Sequence, residues 1–505
     1  MTAGPGSALP AAGTNEVIGL YRACLAGLGR LGTWPLDGFD RTGVPVVATV
    51  WTDREDPAVQ AHGVGYGADS AAAEIGALGE LAERVVMAQM LRARPVHRGS
   101  YRELVRRHGT DAVADPLTLV LPAGSAYHPD QQLVWLPAVR WRTGQEVLVP
   151  QEWAASDPGA LTPGTEPLVL PITNGLGAGD TAERAVAHGL LELLQRDGDT
   201  VDFRALDSGV VVDLDGLTDP VALAVLDRLR SVGIEPVVKV ASTEFVPVVY
   251  AAGHDPDPAA APLAASAMGE AAHPDGQAAV AKALLEYASS RARRAFAFGP
   301  LEDVGRLLPD YLDLELDLPV GAQEERALEA MRAWVALPPD ELRRVVEPTL
   351  LGRTRTVSVA DLPAAPAAVT ADPGALLGFL LDLLADFDVL VVHGAWHGVH
   401  AAKVVVPGLE VETLSYLRIG ERVARRLLDR GSDLVGRGPA DGVDRLPVRL
   451  TEAATARLGG PVWLDRRRVD EVVGPLYPLY REPRRHAVQR TAAGRSNITA
   501  SGRPR

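Results

Sequence analysis

The sequence predicts a mixed α/β (α+β) fold. β-branched runs such as residues 43–51 (GVPVVATVW) alternate with long Ala/Leu/Glu-rich segments of helical period, over about 70–93, 181–197 and 277–296. Glycine-rich stretches at 63–67 and 174–180 stand just ahead of the first two of those helices, where a turn is expected.

In chain order, residues 15–31 have helical periodicity and end in glycines, and 43–51 read as a buried strand. The glycine turn 63–67 leads into the helix 70–93. Residues 133–141 and 146–149 flank Arg142-Thr143-Gly144-Gln145 as a hairpin. The second glycine turn, NGLGAGD at 174–180, feeds the helix 181–197. Strands are expected at 210–212, 236–240 and 246–251, and a helix at 277–296. Residues 301–385 read as mostly helical with proline breaks, 389–392 and 402–406 as core strands, and 414–429 as a helix. His393, His397 and His400 have a spacing that could suit a metal on a helix. Gly394 and Gly398 argue instead for a loop between strands. No internal repeat is evident. Residues 1–14 and the basic tail 484–505 are expected to be disordered, and 15–483 to form one continuous catalytic domain.

Composition narrows the function. A hydrophobic fraction of 47% and a charged fraction of 23% are those of a globular protein. A net charge of −15 argues against a nucleic-acid binder. Cys24 is the only cysteine, so an internal disulfide and a cysteine metal cluster are excluded. No secretory signal is visible, and the apolar stretch 376–392 is interrupted by Asp382, Asp386 and Asp388, so a cytoplasmic protein without a membrane span is expected. The only lysines are Lys239, Lys282 and Lys403, none of them in a P-loop pattern. A Walker-type nucleotide site is excluded, and no G-x-S-x-G elbow is present.

Three helices carry acid. Glu80 and Glu83, three residues apart, share one helix face next to Arg84. Glu192 and Gln195 repeat the arrangement in an otherwise apolar helix, followed by Arg196 and Asp197. Glu286, Ser289, Ser290 and Arg291 lie on the third. Each set alone reads sooner as a solvated face with ion pairs than as a site. Buried acids, however, need partners, and a hard cation such as Mg2+ is one solution and an arginine another. His188, one turn before Glu192, reads as a packed helical histidine.

The motifs around these acids resemble those of the YcaO family. TNGLGAGDTAERAVAHGLLELLQRDG (173–198) is similar to its glycine turn and E-x-x-E-R-D helix, IGALGELAERV (75–85) to its E-x-x-E-R motif, and GEAAHPDGQAAVAKALLEYASSRARRA (269–295) to its third motif. FDRTGVPVVATVW (39–51), VWLPAVRWRTGQEVLVP (134–150) and KVVVPGLE (403–410) extend the resemblance to nearly everything between residues 15 and 483. It implies a YcaO-like fold, in which sheets and long helices enclose an ATP site of non-P-loop type. Glu80, Glu83, Glu192, Gln195 and Glu286 are implied Mg2+ ligands. Asn174, Gly175, Arg84, Arg204, Arg291 and Ser289 are implied ATP contacts. The implied chemistry is phosphorylation of a peptide-backbone amide oxygen. Attack by a neighbouring Cys, Ser or Thr then gives an azoline, attack by sulfide a thioamide, and attack by an amine an amidine.

Three departures bear on that chemistry. Tyr66 stands where the family often has lysine, Gly76 where it commonly has serine, and Gln195 where it has an acid. The resemblance therefore leaves open a cyclodehydratase, a thioamide- or amidine-forming enzyme, and a weakened peptide-binding scaffold. The expected partners are a ribosomally made precursor peptide and a separate peptide-recognition or companion protein, since no leader-binding segment precedes the first strand; a homodimer is compatible with the sequence. The proline-rich stretch 474–483 matches the family's P-x-P-x-P ending only loosely and is given no catalytic role.

Overall fold

Most of both glycine-rich stretches is strand, and only Asn174-Gly175, with Gly175 at φ 84°, makes the expected turn. A computed structural model describes residues 13–56, 58–257, 261–317 and 323–491. In it Gln60–Tyr66 and Leu176–Gly179 are extended, each followed by one of the acid-bearing helices, Ser70–Ala93 and Ala182–Gly198. The glycines are there because helix backbone lies directly on the strand. A Cβ on Gly65 would sit 2.1 Å from both Ala73 O and Ala77 N, and one on Gly177 2.1 Å from Ala185 O. The third acid-bearing helix, Gly276–Phe298, packs the same way on Gly269–Ala272, where a Cβ on Gly269 would meet Ala283 O and Tyr287 N at 2.2 Å. No repeat is legible in the residues, yet three strand–helix units of one design recur in the structure.

Each unit belongs to a different sheet. The first joins an antiparallel sheet of Gly29–Pro35, Val46–Asp53 and Gln60–Tyr66. The second edges a six-stranded sheet built from His97–Ser100, Gln132–Arg140, Glu146–Pro150, Leu390–Trp396, Val399–Val405 and Leu176–Gly179. The third edges a five-stranded sheet that continues through Val248–His254, Glu235–Ser242 and Val210–Asp213 to a parallel strand, Arg355–Ser358. That last strand lies in the region read as helical. It is short and exposed at the sheet edge, so no alternating apolar pattern marks it.

All three helices are capped by the residue before them. Asp69 accepts from Ala72 N at 2.8 Å, Thr181 from Arg184 N at 3.2 Å and Asp275 from Ala278 N at 2.9 Å. The hairpin at 142–145 forms, with Val139 opposite Glu146. The HGAWHGVH segment is a second hairpin and not a loop. Val399–Val405 returns on Leu390–Trp396 through His397-Gly398, whose φ angles of 47° and 82° suit the twist of a two-residue turn. The expected strand at 43–51 is preceded by the strand Gly29–Pro35, which takes the place of the last residues of the expected opening helix, 15–31.

The helix expected at 414–429 starts only at Glu421, because its cap comes from elsewhere. Buried Glu410 accepts from Gly420 N at 2.7 Å and Val423 N at 2.8 Å. Burial pushes the Glu410 carboxyl up to about 7, against the pull of those two N–H groups. A carboxyl raised on folding stabilises the fold in full below its ordinary value of 4.5 and loses that contribution as pH rises through about 7. Glu410→Gln removes the ionisation. Between pH 5 and 8 the wild type is therefore expected to lose about 2 kcal/mol more than the variant, at ~1.4 kcal/mol per pKa unit. Urea denaturation at the two pH values measures this, and parallel profiles would refute it.

Residues 421–473 add three short helices and a small sheet of Val435–Arg437, Arg445–Pro447 and Val462–Asp465 over a core of its own that includes Val423, Leu427, Val462, Leu464 and Val469. Arg422 and Arg426 tie this layer to Asp197, at the end of the second acid-bearing helix. Of the tail expected to be disordered, residues 484–491 pack. His486 is fully buried, its backbone N–H donates to Ala297 O at 2.7 Å, and its imidazole meets the Tyr311 hydroxyl. Residues 1–12 and 492–505 lie outside the described residues. Among the described residues no helix is long and apolar enough to cross a membrane.

Candidate active site

The three strand–helix units point their acids at one another. In each, a strand-side backbone N–H donates to a helix carboxylate: Val64 to Glu80 at 2.8 Å, Gly175 to Glu192 at 2.9 Å and Glu270 to Glu286 at 3.2 Å. The glycines thus let each helix lie close enough for its carboxylate to take a backbone N–H of the strand side. Each acid lies two to four turns along its helix from the N-terminus.

These groups close into a ring. Arg84 donates to Glu80 at 2.7 Å. Glu83, 8% exposed, is raised well above the usual carboxylate range by burial and then by Glu192 and Glu80. Burial also raises Glu192, opposed by Arg196 and Lys403. Arg196 donates to Glu270 at 2.5 Å, and Glu270 lies against Glu286. The Tyr66 hydroxyl donates to Glu286 at 3.1 Å and is close enough to Glu80 to feel its charge, which completes the circuit. Burial, followed by Glu270, pushes Glu286 up to about 7. His188, neutral because burial brings it down to about 4, packs beside Lys282.

Arginines stand between the acids, and several have an unused nitrogen. The Nε atoms of Arg84, Arg196, Arg204 and Arg293 are buried and meet no hydrogen-bond acceptor. Among the described residues no three carboxylate or imidazole groups converge tightly enough to hold one ion by themselves. The arrangement fits a cation that keeps most of its ligands as water and phosphate oxygens, which is how Mg2+ is usually held. It equally fits a polyanion, which would satisfy the orphaned guanidinium donors.

The residues anticipated from sequence divide. Glu80, Glu83, Arg84, Glu192, Gln195, Arg204 and Glu286 come together. Gln195 donates to Glu270 at 3.3 Å, and Arg204 donates to the same carboxylate at 3.1 Å, with its guanidinium over the rings of Phe203 and Tyr480. Asn174 and Gly175 flank the ring. Lys403, lowered to about 8 by burial, fixes their loop by donating to Ile172 O at 2.5 Å and Asn174 O at 2.7 Å. On that side an apolar pocket opens, lined by Trp153, Ile172, Asn174, Leu193 and Lys403 among others.

Arg291 does not join the ring. Its buried guanidinium pairs with Asp40 at 2.9 Å and Asp255 at 2.7 Å. It follows Glu286 by five residues, which turns it about 140° around the helix axis. Arg293, seven residues on, falls on the Glu286 stripe with buried Ser289 between, and feels Glu482, Glu286, Glu80 and Glu270 in that order. That i, i+7 spacing was available in the sequence. Glu270 and Lys403 carried no comparable signal. The proline-rich stretch enters through Glu482, 2.9 Å from Arg294 and 4.0 Å from Arg293, and through Tyr480, whose hydroxyl oxygen accepts from Ala205 N at 3.0 Å.

A mixed α/β protein with carboxylates and guanidiniums facing one another from three sheet-backed helices, and no P-loop, is an unusual class, and comparison with known proteins identifies it. Residues 64–410 match the family model described as YcaO cyclodehydratase, ATP- and Mg2+-binding, and the chain belongs to the YcaO family. ATP and Mg2+ are that family's ligands. An uncharacterized protein of Methanothermobacter thermautotrophicus is 29% identical over 385 residues, 76% of this chain and 90% of that one. Among solved structures, a heterocyclase in complex with substrate and cofactor superposes with a TM-score of 0.61 at 16% identity, over 83% of this chain. The present chain spans only 55% of that heterocyclase. YcaO from Methanopyrus kandleri, bound with AMPPCP and Mg2+, superposes with a TM-score of 0.55 at 20% identity, over 81% of this chain and 94% of that one. At these identities the structural likeness is one of fold, and it bears out the YcaO-like α/β architecture expected from the motifs.

Proposed function

We propose that this chain uses ATP and Mg2+ to O-phosphorylate backbone amides of a ribosomally made peptide, cyclodehydrating Cys, Ser or Thr residues to azolines. One observation carries this reading: a ring of carboxylates from three helices, interleaved with arginines whose buried Nε atoms lack acceptors. Bound ATP and Mg2+ would supply the phosphoryl group and the charge that polarises it. Glu80, Glu83, Glu192 and Glu286 would hold the cation, with the amide oxygen of Gln195 beside them. Arg84, Arg196, Arg204 and Arg293 would take the phosphate oxygens, which makes the protein's task one of positioning and charge neutralisation. Asn174, Gly175 and the apolar pocket beside them would shape the nucleoside end. Thioamide or amidine formation would use the same site with another nucleophile. A separate peptide-recognition protein would deliver the substrate.

A second reading, a peptide-presenting scaffold without turnover, is favoured by Tyr66, which occupies one Glu286 oxygen with its hydroxyl. ADP and phosphate release by the purified protein with Mg2+ and candidate precursor peptides separates the two. Turnover that depends on peptide supports the enzyme. Tight nucleotide binding with no turnover, across peptides and partner proteins, would establish the scaffold.

The two nearby arginines give a further check. Arg293→Met is expected to weaken nucleotide binding while leaving the melting temperature nearly unchanged, because the Arg293 side chain is 42% exposed and its contact with Glu482 is a long one, 4.0 Å. Arg291→Met leaves the buried Asp40 and Asp255 short of a partner and is expected to destabilise the fold by about 3 kcal/mol. Calorimetric binding and thermal denaturation of both variants test the assignment. The reverse pattern would return Arg291 to the phosphates.

A further inference from the structure

The first acid-bearing helix carries two carboxylates on its inner face, Glu80 and Glu83, whereas the second carries Glu192 and an amide, Gln195. The missing charge stands immediately opposite. Of the three strand-side residues whose N–H groups hold the helix acids, Val64, Gly175 and Glu270, only Glu270 brings a carboxylate. That carboxylate meets the Gln195 Nε2 at 3.3 Å, Arg196 at 2.5 Å and Arg204 at 3.1 Å.

We propose that Glu270 supplies, from the strand, the carboxylate that position 195 lacks, and that positions 195 and 270 form a charge-exchange pair facing the bound cation and nucleotide. The proposal rests on the ATP–Mg2+ reading of the site. A glutamate at 195 beside Glu270 would set two carboxylates about 3.3 Å apart, where like charges in a buried place repel strongly. One acid and one amide at these positions instead form a hydrogen bond, and that bond survives if the two are interchanged.

The site also has unmet demand around Glu270. Asp199, 5% exposed, lies beside it within hydrogen-bonding reach of its carboxylate. The Nε atoms of Arg196 and Arg204, on the other side, meet no acceptor. Orphaned guanidinium donors flanking a buried carboxylate are what a ligand carrying phosphate oxygens and a cation would satisfy.

The test is binding of AMPPCP with Mn2+ in place of Mg2+, followed by calorimetry and by the Mn2+ electron-paramagnetic signal, on the full chain. Glu270→Gln is expected to weaken metal–nucleotide binding by about tenfold or more, the scale found when a carboxylate supporting a metal is lost. Gln195→Glu alone is expected to weaken it as well, through repulsion. The double variant Gln195→Glu/Glu270→Gln, with the charge moved across the hydrogen bond, is expected to recover binding to within about threefold, in the manner of a coupled pair. A double variant no better than Glu270→Gln, at an unchanged melting temperature, overturns the exchange and leaves Glu270 a mere anchor for the arginines. Full binding by Glu270→Gln overturns it too. Glu192→Gln serves as the control on the underlying reading: if neither wild type nor any variant binds the metal–nucleotide pair, that reading falls, whereas loss in Glu192→Gln alone sinks only the proposal for Glu270.

Discussion

Glu192→Gln is expected to lower ATP turnover by roughly 10²–10³-fold, the loss typical when one preorganised charge is withdrawn from a reaction site. The glutamine is chosen because it separates charge from structure. Glu192 accepts the Gly175 N–H at 2.9 Å, and an amide oxygen can go on accepting it. An alanine would leave that donor orphaned and destabilise the fold by about 1–3 kcal/mol, blurring the result. The charge itself has two local partners, Arg196 at 3.8 Å and Lys403, so its removal also leaves these cations less well balanced. Metal–nucleotide affinity should fall together with turnover, while the melting temperature stays close to that of the wild type. ADP release, calorimetry and thermal denaturation on one preparation make the comparison. Turnover at the wild-type rate would remove Glu192 from the reaction and with it the role proposed for the ring.

Gly177→Ala should have the larger effect on the fold, about 3 kcal/mol or more, because the clash is backbone against backbone and no side chain can rotate away. The added Cβ would lie 2.1 Å from Ala185 O and 3.0 Å from Gly189 N. Relief requires the helix Ala182–Gly198 to lift off its strand. Such a shift also breaks the Gly175–Glu192 hydrogen bond and moves Glu192 out of the ring. Stability and nucleotide binding should therefore fail together. Gly378→Ala, in the helix Pro373–Leu383, is the contrast: nothing lies within 4 Å of its added Cβ, and it should stabilise by about 0.5–1 kcal/mol. Urea denaturation of the two variants tests the pair. Equal effects of one sign would show that close helix–strand contact is not what position 177 is for.

Much of the site was legible because helices print their faces in the chain. Glu80/Glu83 and Glu192/Gln195 are read from i, i+3 spacing, and Asp69, Thr181 and Asp275 mark the helix starts by their capping chemistry. The glycine stretches were visible but misread. Glycine signals permissive geometry without saying whether a turn or a close approach demands it, and at Gly65 and Gly177 it is the approach. Arg291 was misplaced for a different reason. Its partners Asp40 and Asp255 are 251 and 36 residues away in sequence, so nothing near it in the chain reveals that its charge is already committed.

By itself the sequence determined the elements and the inventory: three capped helices bearing acid, the absence of a Walker lysine, and motifs resembling one family. These are local properties, fixed by periodicity, capping and residue chemistry within a few turns. Only the tertiary structure decided which charges meet. Glu80, Glu192 and Glu286 become neighbours because three strand–helix units from three sheets turn their inner faces together. Glu270 enters beside Gln195, and Arg293 rather than Arg291 faces the acids. Electrostatic partnership depends on distance in space, and at sequence separations of 75 residues or more no local pattern encodes it.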